Sequence, residues 1–305
     1  MGDQVYRRSC NRKDPTMDFL FEYYGLRPSH FKRWSPGFGS LMEGEDFRTF
    51  FPSEKFEKHT SGFGLTPATL PYHRYSAFRW IRSLLTVSLK RAPFFGCFGM
   101  HEWAMVYRLS PEEVRHSQFP LRMNPDELAA FVESRPVVCS HFDAYRFFTE
   151  AAQPLNRLRP TRLTMEHYEQ PGCLHTNMDL YKWAFKGMPW VPSELVMRAF
   201  DVACDARRLD MCASPYDVRE MGMEPIFVET EEGREEYVQK QKELFEAARP
   251  IREELVSWYD TIVNALEHFA PTYAPKMEIR QLPVINPAWP PTESSLRPES
   301  PTPRS

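Results

Sequence analysis

Three short stretches each set a histidine close to a carboxylate among aromatic residues. In CFGMHEWAMVYR (97–108) His101 precedes Glu102. In CSHFDAYRFF (139–148) His141 stands two before Asp143, and in QPGCLHTNMDLYKW (170–183) His175 stands four before Asp179. Imidazole and carboxylate together do one of two jobs. They supply nitrogen and oxygen ligands to a transition metal, or the carboxylate orients a histidine that moves a proton.

The spacings separate these jobs. If 101–108 is helical, Glu102 turns about 100° away from His101, which puts His101, Met105 and Arg108 on one face. One ion is then not shared by His101 and Glu102, and a core histidine is the plainer alternative for His101. Residues 139–143 read as a short strand in which Cys139, His141 and Asp143 share a face; Asp143 as the cap of a helix starting at AYRFF is the structural alternative. Pro171-Gly172 breaks the chain before a helix over about 173–187. On that helix His175 and Asp179 are neighbours on one face, with Lys182 and Trp183 close by and Glu166 and Glu169 just upstream. A surface ion pair is the alternative there.

Together these give a candidate catalytic set of His101, Glu102, His141, Asp143, Glu169, His175 and Asp179. His141, His175 and Asp179 are candidate ligands for Fe or Mn, because ligands from separate helices suit a non-haem centre. Without a metal, a carboxylate activates water. Trp103, Tyr107, Arg108, Tyr145, Arg146, Arg162, Lys182 and Trp183 are the candidate substrate contacts. In SPEEVRH (110–116), Ser110 and Glu113 form a capping box, so Glu112, Glu113 and His116 read as structural.

The elements that must position these residues are helical. Apolar spacing predicts helices over 14–26, 76–91, 124–134, 191–211 and 233–270, with Pro250 expected to kink the last or break it in two. RPVVCSHF (135–142) and EPIFVET (224–230) are the best strand candidates, with RTFFPSEKF (48–56) weaker. The fold class expected is mainly α: a flexible N-terminus over 1–15, one helical domain over 16–280 and a disordered Pro/Ser-rich tail over 281–305.

Of the 305 residues, 42% are hydrophobic and 14% aromatic, enough for a core; the net charge of -3 gives no overall attraction to phosphate. Nucleic-acid binding is therefore expected to be weak at most and local to Arg157, Arg159 and Arg162, the patch on which a non-enzymatic binding protein would rely. No apolar run approaches a membrane span, and the six cysteines form no Cys-x-x-Cys pair. The expected location is cytoplasmic, with the nucleus left open. Phosphate loops, Gly-x-Ser-x-Gly elbows and the zinc deaminase pattern are missing, which removes those chemistries.

Five blocks, DFLFEYYGLRPSHFKRWSPG (18–37), GCFGMHEWAMVYR (96–108), CSHFDAYRFFTEAAQPLNRLRPTR (139–162), EQPGCLHTNMDLYKWAFK (169–186) and ASPYDVREMGMEPIFVETEEGREEYVQKQ (213–241), closely resemble a bacterial family widespread in actinobacteria. Its members are commonly labelled 3-methyladenine DNA glycosylase. The resemblance covers about 18–250 and implies hydrolysis of the N-glycosidic bond of an alkylated base. A metal-dependent oxidase or oxygenase acting on a small molecule, and a binding protein without activity, stay open beside it.

Overall fold

The computed structural model describes residues 15–277 apart from 28, 30, 31, 44–54, 61, 111 and 115–118. Residues 1–14 and 278–305, most of 48–56 and part of 110–116 thus lie outside the described residues, and with them the expectations for the N-terminus and the tail. The protein is mainly helical with a small three-stranded sheet. Its helices are α1 Pro15–Tyr23, α2 Tyr75–Lys90, α3 Met100–Ala104, α4 Pro125–Glu133, α5 Phe142–Tyr145, α6 Met165–Tyr168, α7 Leu174–Lys186, α8 Ser193–Ala213 and α9 Glu231–Tyr273. The strands β1 (Leu41–Met42), β2 (Phe56–His59) and β3 (Gly62–Leu65) form an antiparallel sheet in the order β1-β3-β2. No described helix is long and apolar enough to cross a membrane.

The chain divides into two compact units. Among the described residues, the first takes 15–89, 174–208 and 243–277, and the second takes 90–173 and 209–242.

In the first unit α1 ends at Tyr23, three residues short of the predicted 14–26, and Gly25 makes the turn that follows. Gly25 adopts φ +63, and the Leu26 amide reaches back to the Phe21 carbonyl at 2.9 Å, a closure that favours a residue free of Cβ strain. The core is aromatic: Phe78 meets Tyr259 edge-on at 5.4 Å, Trp80 meets Trp183 at 5.4 Å and Tyr181 meets Phe200 at 5.0 Å. Leu244, Ala248, Ile251, Leu255, Ile262 and Leu266 are buried on α9 at the helical period read from sequence.

Pro250 does not break this helix, which runs unbroken for 43 residues. Pro250 and Glu246 lie on its exposed face, so the carbonyl that loses its amide partner turns to water while the apolar stripe continues beneath.

The second unit is built from short helices and pinned loops. In α4 Asn124 and Glu127 form a reciprocal capping box, with Pro125 at the first helical position. Residues 135–142 are not a strand. Val137 makes one isolated bridge to Asn156, and the Asn156 side chain takes both backbone groups of Cys139, accepting from its amide at 2.7 Å and donating to its carbonyl at 3.0 Å. An amide side chain thus fills the hydrogen-bonding role of a neighbouring strand.

Residues 224–230 are not a strand either. Ile226 donates to the Cys212 carbonyl at 2.8 Å, and Thr230 then caps α9 through the Gly233 amide at 3.0 Å.

Candidate functional site

The best-defined chemistry in the second unit is a buried ion pair. His101, on α3, sets Nε2 2.7 Å from Asp210 Oδ1, with the two side chains only 3% and 0% exposed. Its other nitrogen, Nδ1, lies 3.6 Å from Cys97 Sγ.

Burial alone would drive the proton off His101. The Asp210 charge and hydrogen bond, with Cys97 adding to them, outweigh it and raise the imidazole well above its ordinary range. The contact with Asp210 thus favours the protonated form of the buried imidazole.

The loop around α3 is held in an unusual backbone. Phe98 (φ +49), Gly99 (φ +72) and Arg108 (φ +56) are left-handed, so two non-glycine residues with this strain bracket the helix that carries His101. A Cβ on Gly99 would come within 3.2 Å of the Ala213 Cβ. Trp103 fixes the same approach from α3 itself. Fully buried, it donates Nε1 to the Ala213 carbonyl at 3.0 Å and packs edge-on against Phe131 at 4.7 Å. Arg122 lies 5.2 Å from the ring centres of both Trp103 and Phe227, and bonds the Ser214 carbonyl and Glu229. α3 and the end of α8 are thereby locked together, with His101 and Asp210 between them.

A second pair lies in the same unit. His141 Nε2 and Glu169 Oε1 are 3.7 Å apart, each side chain 1% exposed. His141 is the N-cap residue of α5 and Glu169 the C-cap residue of α6. Arg91 donates to the backbone carbonyls of Glu166 and Glu169, so the chain presenting Glu169 is held from outside. Gln170 continues the clamp: its Oε1 accepts from Phe94 at 2.9 Å and Gly172 at 2.7 Å, and its Nε2 donates to the Phe94 carbonyl at 3.0 Å.

The remaining predicted residues of this unit divide by exposure. Asp143 neither caps α5 nor shares a strand face with His141. It lies in the first turn of α5 and pairs with Arg146 at 3.2 Å, because the expected strand is a pinned loop. Glu102 is half-buried one position past His101. Tyr107 and Arg108 share Glu133, at 2.6 and 2.8 Å, and Tyr145 packs on Phe148 at 5.1 Å. Arg157, Arg159 and Arg162 are exposed, although Arg159 spends hydrogen bonds on carbonyls of its own loop, Leu158 at 3.0 Å and Pro154 at 3.2 Å.

In the first unit, His175 and Asp179 lie on α7 and both are buried. Asp179 accepts from the Tyr24 hydroxyl at 2.7 Å and pairs with Lys182. The Lys182 ammonium lies 4.2 Å from the centre of the Trp183 ring, and that ring packs against Trp80. The aromatic setting read from sequence thus keeps the pair out of water.

Asp210, Cys97 and Arg91 are the residues that sequence reasoning missed. Asp210 is 109 positions from His101 and looks like the polar face of a helix. Cys97 stands four before His101 within the first quoted stretch, a spacing that could have drawn attention to it. Arg91 ends a helix and carries no signal. No family model, no curated protein and no solved structure matches the chain.

Proposed function

We propose that the chain is a hydrolytic enzyme whose acid–base centre is His101 with Asp210. The observation that carries this is the 2.7 Å contact between two side chains with almost no exposure. Ionised groups are costly to bury, and a histidine kept protonated beside its carboxylate has a proton to give where water does not compete. The resemblance to glycosylases supplies the bond to test first, since a departing base takes up a proton as its N-glycosidic bond breaks. The assay is release of free base from duplex DNA carrying methylated purines. Wild type is expected to turn over, and Asp210→Asn to fall about 10-fold or more as His101 loses its orienting charge. Equal turnover by wild type and Asp210→Asn would overturn the assignment of the centre.

The second reading, a non-haem centre, is favoured by His141 and Glu169. A gap of 3.7 Å is too long for a hydrogen bond, while an imidazole nitrogen and a carboxylate oxygen at that spacing suit two ligands of one ion. Fe or Mn found at one equivalent in protein purified without chelator, and lost in Glu169→Gln, would support it; its absence would remove the oxidase alternative.

A further inference from the structure

We propose that Cys97 is a catalytic nucleophile acting on acyl compounds through a thioester, with His101 as its proton partner and Asp210 as the residue that positions His101. This rests on the reading of His101–Asp210 as the acid–base centre, and adds the attacking atom and the substrate class.

The carrying geometry is an imidazole with a thiol on one nitrogen and a carboxylate on the other. Cys97 Sγ is 3.6 Å from Nδ1, and Asp210 Oδ1 is 2.7 Å from Nε2. Nucleophilic catalysis uses this order because the carboxylate fixes the ring while the opposite nitrogen manages the proton of the attacking group.

Access points to the same sulfur. Cys97 is partly exposed, as are Cys204 and Cys212, whereas Cys139 and Cys173 are buried; of these three accessible thiols Cys97 is the one set against His101.

The backbone beside Cys97 supplies what an acyl carbon needs. Among the described residues none accepts a hydrogen bond from the amides of Phe98 or Gly99, the two left-handed positions directly after the cysteine. Two adjacent N–H donors next to a nucleophile suit the oxyanion of a tetrahedral intermediate.

A further group stands at the same place. The Tyr237 hydroxyl is fully buried with no hydrogen-bond partner, and burial together with the charges of Cys97 and Asp210 raises it well above its ordinary range. A protonated phenol with nothing to bond is a donor for a bound ligand.

In the reaction, Sγ attacks the acyl carbon with its proton on His101. The S–C bond forms, the bond to the leaving group breaks, and the leaving group departs with the proton from His101. Water then attacks the thioester and gives a proton to His101. The C–S bond breaks, the carboxylic acid leaves, and the proton again lies between sulfur and imidazole.

The test uses p-nitrophenyl acetate on the full chain. A burst of nitrophenolate is expected, with one acetyl group found on Cys97 by peptide mass mapping. Cys97→Ser, confirmed as folded by its thermal melt, is expected to lose the burst, and Cys212→Ser to keep it. Asp210→Asn is expected to slow acylation about 10-fold or more and to move its pH profile, a change that a structural role would not produce. Acetyl label on another residue, or an undiminished burst in Cys97→Ser, overturns the proposal. If Cys97 is acylated but Asp210→Asn reacts as wild type does, the acid–base centre fails instead. If Asp210→Asn impairs base release while wild type gives no burst and carries no acetyl label on Cys97, the centre stands and the nucleophile falls.

Discussion

Asp210→Asn should uncouple the stability of the protein from alkaline pH. In the folded state His101 binds its proton more tightly than a free histidine because of Asp210, so its folded value lies above the unfolded value of about 6.5. The stabilisation from such a group is complete below the unfolded value and drains away as pH rises through the folded one. Between those limits folding must take up one proton, so stability falls with pH at up to about 1.4 kcal/mol per unit. In Asp210→Asn burial acts unopposed, His101 folds neutral, and that slope disappears. Near pH 6 the variant should be less stable by about 3–5 kcal/mol, as expected for breaking a buried pair. The gap should then narrow as pH rises. Urea unfolding of both proteins at several values between pH 6 and 9 measures it. Two stability curves that stay parallel over this range would show that His101 and Asp210 are not an ion pair, and the reasoning behind the acid–base centre would go with it.

Two further outcomes check how the site is positioned. Gly172→Ala should destabilise by about 1–3 kcal/mol in chemical denaturation, since its Cβ would sit 2.8 Å from both the amide nitrogen and the carbonyl oxygen of Phe94. Asn124→Ala should cost about 1 kcal/mol through the lost cap of α4 while leaving nitrophenolate release unchanged.

The long elements were legible in the sequence because one face of each must be apolar at the helical period, and α2, α8 and α9 follow that rule; α7, buried nearly all round, was placed instead by the Pro171-Gly172 break before it. The strand readings failed at 135–142 and 224–230, where apolar side chains are buried by loops whose backbone partners are a side-chain amide and distant carbonyls. Pattern cannot reveal such partners. The site was half-readable for the same reason. His101, His141, His175 and Asp179 stood out through composition and spacing, and all are buried. Asp210 could not stand out: its importance arises only where α3 and the end of α8 are locked together, a fact of tertiary structure. Asp143 misled because a two-residue spacing means a shared face only if the strand exists.

The lock between α3 and the end of α8 also bears on how this sequence can drift. His101 answers to Asp210, Trp103 and Gly99 to Ala213, and Arg122 to Ser214. Each link joins positions far apart in the chain, so neither side of a link shows in the local sequence of the other. In diverging copies of this protein, positions 99–103 and 210–214 should therefore change together or not at all. A substitution on one side without its answer on the other would loosen the setting of Cys97 while leaving the helices at the far ends of the chain unaltered.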